Sequence, residues 1–280
     1  MVERINDHTY DDNAWITSVG HTVDKVINDN FNEWEKIAVI GNNKDSSSFY
    51  LNYFPQWTFI EEPLYPPHGE SVDATKIRTL LFNGDVEFIR GVVPDVVYDF
   101  FVKDFLSSSH FHNLKKEWDY VQEYKASWAS APYAPTFVTV DGIVIQSGHI
   151  LLIQRGEFPG NGLWAMPGGF VDPGERIRDA LTRELHEETG LKVPPKVLHR
   201  AIDAIEVFDA PGRSTRGRTI THAFRMTLDP TQKLPKVKGG DDASHAAWIP
   251  LSDFAGMESV MYEDHFHIIK QMLTMPIIMA

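Results

Sequence analysis

The sequence contains no cysteine, which excludes disulfides, zinc–thiolate sites and cysteine nucleophiles together. It has no apolar run near the ~18 residues that a membrane-spanning helix needs. Its start, MVERINDHTY, lacks the apolar stretch of a secretory leader. Positive charge is scarce as well: 26 Lys and Arg stand against 39 Asp and Glu, a formal net charge of −13. A chain so acidic is a poor ligand for nucleic acid or an anionic membrane, both of which call for basic surface. These absences imply a cytoplasmic protein whose partners are small molecules. No internal repeat or low-complexity tract is visible. The 280 residues, 42% of them hydrophobic, suffice for two modest domains with ordinary cores. Twelve histidines are scattered along the chain, and those in HFHNL and HFHII read as helix-end or surface residues.

Three textures follow one another. Residues 1–92 alternate helix-like and strand-like pieces. DDNAWITSVGHTVDKVI carries apolar residues at helical spacing, EKIAVIG reads as a short buried strand, and WTFIEE as another. Turn-rich PLYPPHGES leads into a helix over DATKIRTLLF with Asp73 as its N-cap. That alternation predicts part of an α/β sheet. Residues 93–131 predict a helical connector, VPDVVYDFFVKDFL followed by a serine-capped SSSHFHNLKKEWDYVQEYKASW. From 132 to 280 the texture turns to β. TFVTVDGIVIQ and HILLIQR read as a hairpin, AIDAIEVF and TITHAFRMTL as further strands, with helices over 175–189 and 263–275.

One stretch, GGFVDPGERIRDALTRELHEETGL, crowds five acids between Glu175 and Leu191. Ile177, Ala180, Leu181 and Leu185 make one buried helical stripe, and Gly190 is placed to end the helix in the left-handed conformation. Glu184, Glu187 and Glu188 stand at i, i+3 and i+4. Like charges at that spacing repel by about 0.2–0.5 kcal/mol per pair, and the last turn adds the negative end of the helix dipole. A hard divalent cation relieves both, since Mg²⁺ takes oxygen ligands and bridges carboxylates to phosphates. A solvated acidic face is the alternative reading.

The stretch also resembles the Nudix box. From Gly169 it runs Gly, five residues, Glu175, seven residues, then Arg183-Glu184-Leu185-His186-Glu187-Glu188-Thr189-Gly190-Leu191, meeting every fixed position. The resemblance implies a mixed α/β/α sandwich that binds Mg²⁺ or Mn²⁺ and hydrolyses a nucleoside diphosphate linked to another group. By the same resemblance Glu184, Glu187 and Glu188 are metal ligands, and Glu175 and Arg183 brace the helix. Gly168 and Gly169 permit the tight loop before it. The general base stays open among Glu184 and two acids of KGGDDASHAAW, Asp241 and Asp242, whose plainer reading is as turn residues. For the substrate, RSTRGRTITHAF offers Arg213, Arg216 and Arg218 as guanidinium forks for phosphate. Arg155, at the end of HILLIQR, is expected to point to that loop, and Trp164 and Phe170 are candidates to stack on a base.

A longer resemblance covers most of the chain. GNNKDSSSFYLNYFPQW, DATKIR, WASAPYAPTFVTVDGIVIQSGHILLIQR, RSTRGRTITHAF, GGDDASHAAWIPL and EDHFHII are similar to bacterial bifunctional proteins that join a nicotinamide mononucleotide adenylyltransferase to a C-terminal Nudix domain. The implied fold is an incomplete Rossmann-like nucleotidyltransferase domain, a helical connector and a Nudix sandwich. The implied activity is hydrolysis of ADP-ribose to AMP and ribose 5-phosphate, within NAD metabolism. Two departures stand out. Other ADP-ribose branches carry a proline fifteen or sixteen residues after the box, where this chain has Glu206 and Val207. The HxGH signature that grips ATP is absent too; SVGH at 18–21 is the nearest lookalike. Asn13 and Trp15 resemble residues near the mononucleotide site, and Thr75 and Arg78 the second ATP-contacting motif. Retained adenylyl transfer and a non-catalytic ADP-ribose sensor are the alternative functions; the missing HxGH opposes the first and the intact box the second. Oligomeric state is not legible, although an exposed sheet edge in residues 1–92 could pair with another chain.

Overall fold

The computed structural model describes residues 3–30, 36–41, 46–62 and 73–277; the segment PLYPPHGES and part of GNNKDSS lie outside them. The chain divides into two compact units, residues 1–115 and 116–280.

The first unit opens with α1 (Asp12–Asn30), where Asp11 accepts a hydrogen bond from Ala14 N at 2.9 Å. Strand β1 (Ala38–Gly41) pairs in parallel with β2 (Thr58–Glu61). Sequence patterning marks β1 as a buried strand; it is instead exposed or half-buried throughout, with Ile40 64% exposed. Among the described residues β1 pairs with β2 alone, and a two-stranded sheet has little against which to bury its faces. Asp73 caps α2 (Ala74–Asn83) by accepting from Lys76 N at 2.9 Å, and Gly84 closes it at φ 85°. Thr75 and Arg78 lie on that helix, exposed, with Arg78 donating to Thr75 Oγ1 at 3.2 Å. On α1, Trp15 packs among Tyr50, Tyr53 and Phe54 with ring centroids 6.5, 6.4 and 5.8 Å away; Asn13, on the same helix, accepts from Thr17 Oγ1 at 2.8 Å. Helix α3 (Asp95–Phe100) continues as a π-helical turn over 101–105, and α4 (Ser109–Ala126) starts with Ser108 Oγ accepting from Phe111 N at 3.0 Å.

The second unit is built on a mixed seven-stranded sheet. Its spine is β3 (Thr136–Gln146), parallel to β8 (Arg218–Thr227) along ten residue pairs. Only the last two residues of β3 pair with β4 (His149–Arg155), so the expected hairpin is a short one. Strand β4 spends its length on β9 (Ala243–Pro250) and its end on β5 (Trp164–Ala165). Strand β6 (Gly168–Phe170) lies antiparallel to Thr139–Asp141 of β3, and β7 (Ile202–Phe208) closes the far edge on β8. Two helices cover the sheet. Helix α5 (Ile177–Thr189) buries Ala180, Leu181 and Leu185 against Val140, Val144, Leu151, Phe224 and Met226. The approach is close: a Cβ on Gly142 would lie 3.1 Å from Leu185. Residues of opposite pleat face the other way, and there α8 (His265–Thr274) buries Ile268, Ile269 and Met272. Arg225 of β8 ties that helix down by donating to the Met272 and Met275 carbonyls, while Asp203 balances its charge at 2.5 Å. Several elements lie outside the sequence reading, among them α6 (Pro195–Ala201), the short α7 (Leu251–Phe254), and β9, whose alanines are weak strand formers and follow a turn-like GGDD. The longest apolar helices stay too short or too polar to cross a membrane among the described residues.

Candidate active site

The site forms where β6 runs across the C-terminal half of α5, and two glycines permit it. A Cβ on Gly168 would sit 2.1 Å from Val140 O, and one on Gly169 2.5 Å from Glu184 Oε1. The backbone contact at Gly168 tolerates no side chain and one at Gly169 would push the Glu184 carboxylate aside, so the backbone of 168–169 lies directly over the acids of the helix. Gly190, at φ 59°, ends α5 and donates to His186 O.

Arg183 organises the acidic cluster. Its Nη2 and Nε donate to both oxygens of Glu175 at 2.7 and 3.2 Å, and Nη2 also donates to Phe170 O at 3.0 Å. Its Nη1 donates to Glu184 Oε1 at 2.8 Å and Glu187 Oε2 at 3.0 Å. The guanidinium holds the Glu175 carboxyl below its ordinary range. Glu184 is buried and pushed up by that burial, against the pull of Arg183. Glu188 is buried deeper, accepts from Gly168 N at 2.8 Å, and is pushed up by burial to about 8. Glu187 is exposed. The three carboxylates of the i, i+3, i+4 pattern therefore differ: two are sunk under the glycines and one faces solvent. Among the described residues no three acidic or histidine side chains converge tightly enough to make a metal cluster by themselves. Arg183 draws Glu184 and Glu187 to itself, and Glu188 turns to Gly168. The donor set is nonetheless all hard oxygen, and the two buried carboxyls carry a desolvation penalty that a divalent cation offsets.

The loop before β9 docks on the end of α5. Lys238 N donates to Thr189 O at 2.9 Å and Gly240 N to Glu188 O at 3.1 Å, which satisfies two carbonyls the helix leaves open. Gly240 makes the approach, since a Cβ there would lie 2.6 Å from Glu187 O. This brings Asp241, at φ 47°, near enough to Glu184 for its charge to raise that carboxyl further. Asp242 instead ties the loop to the sheet, its carbonyl accepting from Gly156 N at 2.7 Å.

On the face of β3 away from α5 lies a group absent from the sequence reading. Asp141 is buried, accepts from the Thr221 hydroxyl, and is raised by burial against the pull of Arg213, Arg216 and Arg155. A carboxylate inside an apolar run such as TFVTVDGIVIQ is the one sign of it in the sequence. The arginines divide by what they bind. Arg213, expected at phosphate, is buried in a two-pronged ion pair with Asp264, Nε to Oδ2 and Nη2 to Oδ1 both at 2.9 Å. Arg218, also expected there, turns back to the Asp209 carbonyl and lies 3.4 Å from its carboxylate. Arg216 differs from both. Its guanidinium lies 4.9 Å over the Phe170 ring, and its buried Nε finds no hydrogen-bond partner among the described residues. Arg155 covers the Tyr262 ring at 4.3 Å and donates to Pro159 O at 2.7 Å. Phe170 meets Phe137 edge-on at 5.5 Å, and Trp164 meets His245 at 6.0 Å. His265, in HFHII, is a helix-end residue at the start of α8 but not a surface one: it is buried, its Nδ1 accepts from Met166 N at 3.1 Å, and burial holds its pKa down to about 3. The proton of the neutral ring then sits on Nε2.

A model of the NUDIX domain matches residues 135–272. An ADP-ribose pyrophosphatase of Methanocaldococcus jannaschii is 36% identical over 138 residues, 49% of this chain and 73% of that protein. The chain belongs to the Nudix family. This Nudix chain is also similar to a bifunctional NMN adenylyltransferase/ADP ribose pyrophosphatase of Francisella tularensis, whose crystal structure holds AMP and a manganese ion. The two share 35% identity and a TM-score of 0.84 over 98% of this chain and 78% of that one. A nicotinamide/nicotinic acid mononucleotide adenylyltransferase of Acinetobacter baylyi is 31% identical over 110 residues, 39% of this chain and 53% of that protein. This Nudix chain thus spans about half of that last relative. Nudix hydrolases act with divalent cations, and the oxygen donors gathered under Gly168 and Gly169 suit one.

Proposed function

We propose that the chain hydrolyses ADP-ribose to AMP and ribose 5-phosphate with Mg²⁺ or Mn²⁺ held by Glu184, Glu187 and Glu188. The observation that carries this reading is the pairing of buried carboxyls with cations across one strand: Glu184 and Glu188 lie beneath Gly168–Gly169, while the charges of Arg155 and Arg216 reach Asp141 on the neighbouring β3. The names of the Methanocaldococcus and Francisella proteins point to ADP-ribose as the diphosphate.

A divalent cation in this site supplies charge neutralisation at the diphosphate and makes water more acidic. The protein residues do the rest. Arg183 and Glu175 hold α5 in register with β6, so that Glu184 and Glu188 keep their depth. Arg216 offers an unpaired donor to a phosphate oxygen from the face of Phe170. Asp241 is the acid we assign to taking a proton from the attacking water, because the 238–242 loop carries it to Glu184 whereas Asp242 serves the loop through its carbonyl. Arg213 and Arg218 leave the phosphate-binding set, since both face acidic partners.

A substrate panel with Mg²⁺ tests the reading: ADP-ribose, NADH, diadenosine polyphosphates and nucleoside triphosphates. ADP-ribose should give the highest kcat/KM, and a preference for triphosphates would overturn the assignment. NAD formation from ATP and nicotinamide mononucleotide, assayed beside it, would show that residues 1–92 support adenylyl transfer.

A further inference from the structure

Glu263 sits in a backbone conformation that its residue type disfavours. Its φ is 43°, in the left-handed region, where a side chain with a Cβ costs about 1 kcal/mol or more. Most chains place glycine or asparagine there. Such a residue persists only where its surroundings require that side chain in that place. The requirement is visible in its contacts: Glu263 Oε1 accepts from Thr215 N at 3.0 Å, across a sequence separation of 48 residues. The half-buried carboxylate is pushed up by its burial, against that hydrogen bond and the Arg216 charge.

The neighbours of Glu263 fasten the same two segments. Asp264 grips Arg213 with two hydrogen bonds of 2.9 Å. Tyr262 N donates to Trp164 O at 2.8 Å, and His265 Nδ1 accepts from Met166 N at 3.1 Å. Residues 262–265 therefore join the 213–216 turn to the strand that leads into Gly168–Gly169. Within that turn Arg213 and Thr215 are held by acids, and Arg216 is the side chain left with a buried Nε unpaired, over Phe170. A buried guanidinium nitrogen without an acceptor costs free energy unless a ligand supplies one.

We propose that Glu263 is a positioning residue, which by holding Thr215 aims the Arg216 Nε at the diphosphate of the substrate. The inference rests on the proposed Nudix reaction for the presence of a diphosphate. Glu263 itself touches no substrate; its effect runs through Arg216.

The test uses the full chain and opposes stability to binding. Glu263→Gly relieves the left-handed strain while removing the acceptor, so Tm should hold or rise as KM increases about tenfold with kcat within about threefold, the pattern of lost ground-state and transition-state binding alike. Glu263→Gln keeps an oxygen for Thr215 N and should recover most of the KM. In an Arg216→Ala background, Glu263→Gly should add little, because the two act as one unit. An unchanged KM in Glu263→Gly overturns the proposal, as does a full additive effect in the double variant. Kinetics are read on whichever panel member the parent cleaves fastest, all of which carry a di- or polyphosphate. Failure of ADP-ribose to be that member sinks the proposed function and leaves the Glu263 result standing by itself.

Discussion

Glu188 bears the sharpest conflict of any single residue, a carboxyl nearly sealed from water at the negative end of a helix. Its folded pKa is raised from 4.5 to about 8, so between those values the native state holds more protons than the unfolded one. Stability present below the lower value is then lost as pH rises towards the upper. Glu184, Asp141 and Glu263 are raised by burial too and act in the same direction. In chelator, Tm should therefore fall between pH 6.5 and 8, Glu188→Gln should flatten the fall, and Mg²⁺ at pH 8 should restore the parent alone. A Glu188→Gln variant with the parent's full pH slope would contradict this. His265 contributes the opposite sign over a different window. Its folded pKa lies near 3, below the ordinary 6.5, so its stability is complete above 6.5 and lost on acidification towards 3. The arginines separate by outcome. Arg216→Ala should lower kcat/KM by about 10–100-fold, the scale of a charged hydrogen bond, with lysine restoring part of it. Arg213→Ala should chiefly unfold, by about 3–5 kcal/mol, because it strips a guanidinium from a buried carboxylate. Equal kinetic losses at both, without a difference in Tm, would remove the distinction.

Helix α5 was legible in the sequence because its determinants are local: the stripe of Ile177, Ala180, Leu181 and Leu185, and the Gly190 stop. The caps at Asp73 and Ser108 were readable for the same reason. Residues whose partners lie far along the chain were not. Asp141 meets Thr221 across 80 positions, Arg213 meets Asp264 across 51, and no local pattern announces either. HFHII does stand at a helix end, yet the start of α8 is buried against Met166, 99 positions away, where a surface reading would expose it. The GGDD turn hid a strand and a second task, which is to cap α5. Its glycines yield an element-scale prediction. Gly240→Ala would press a Cβ to 2.6 Å from Glu187 O, so the loop must lift, carrying Asp241 off Glu184. Hydrolysis should fall with little change in the far-ultraviolet circular dichroism of the sheet and helices. Full activity in that variant would place the general base elsewhere.

At the scale of the whole molecule, residues 116–280 contain every carboxylate and arginine of the site. The two units also differ in how much they bury. Among the described residues, a seven-stranded sheet with fully covered Val140, Ile143 and Leu151 contrasts with a two-stranded one that exposes Ile40, Phe59 and Ile60. Segments with few buried contacts open first. Limited proteolysis should accordingly cut before about residue 92 and leave a fragment that still hydrolyses the substrate. The metal assignment is tested most directly by kcat/KM for ADP-ribose with Mg²⁺, measured on the parent, Glu187→Gln and Glu188→Gln. The parent should turn over ADP-ribose and each variant should lose more than about a hundredfold, beyond what displacement of a ligand's outer neighbour brings. Near-parental turnover in both variants would contradict the assignment of Glu187 and Glu188 to metal and diphosphate.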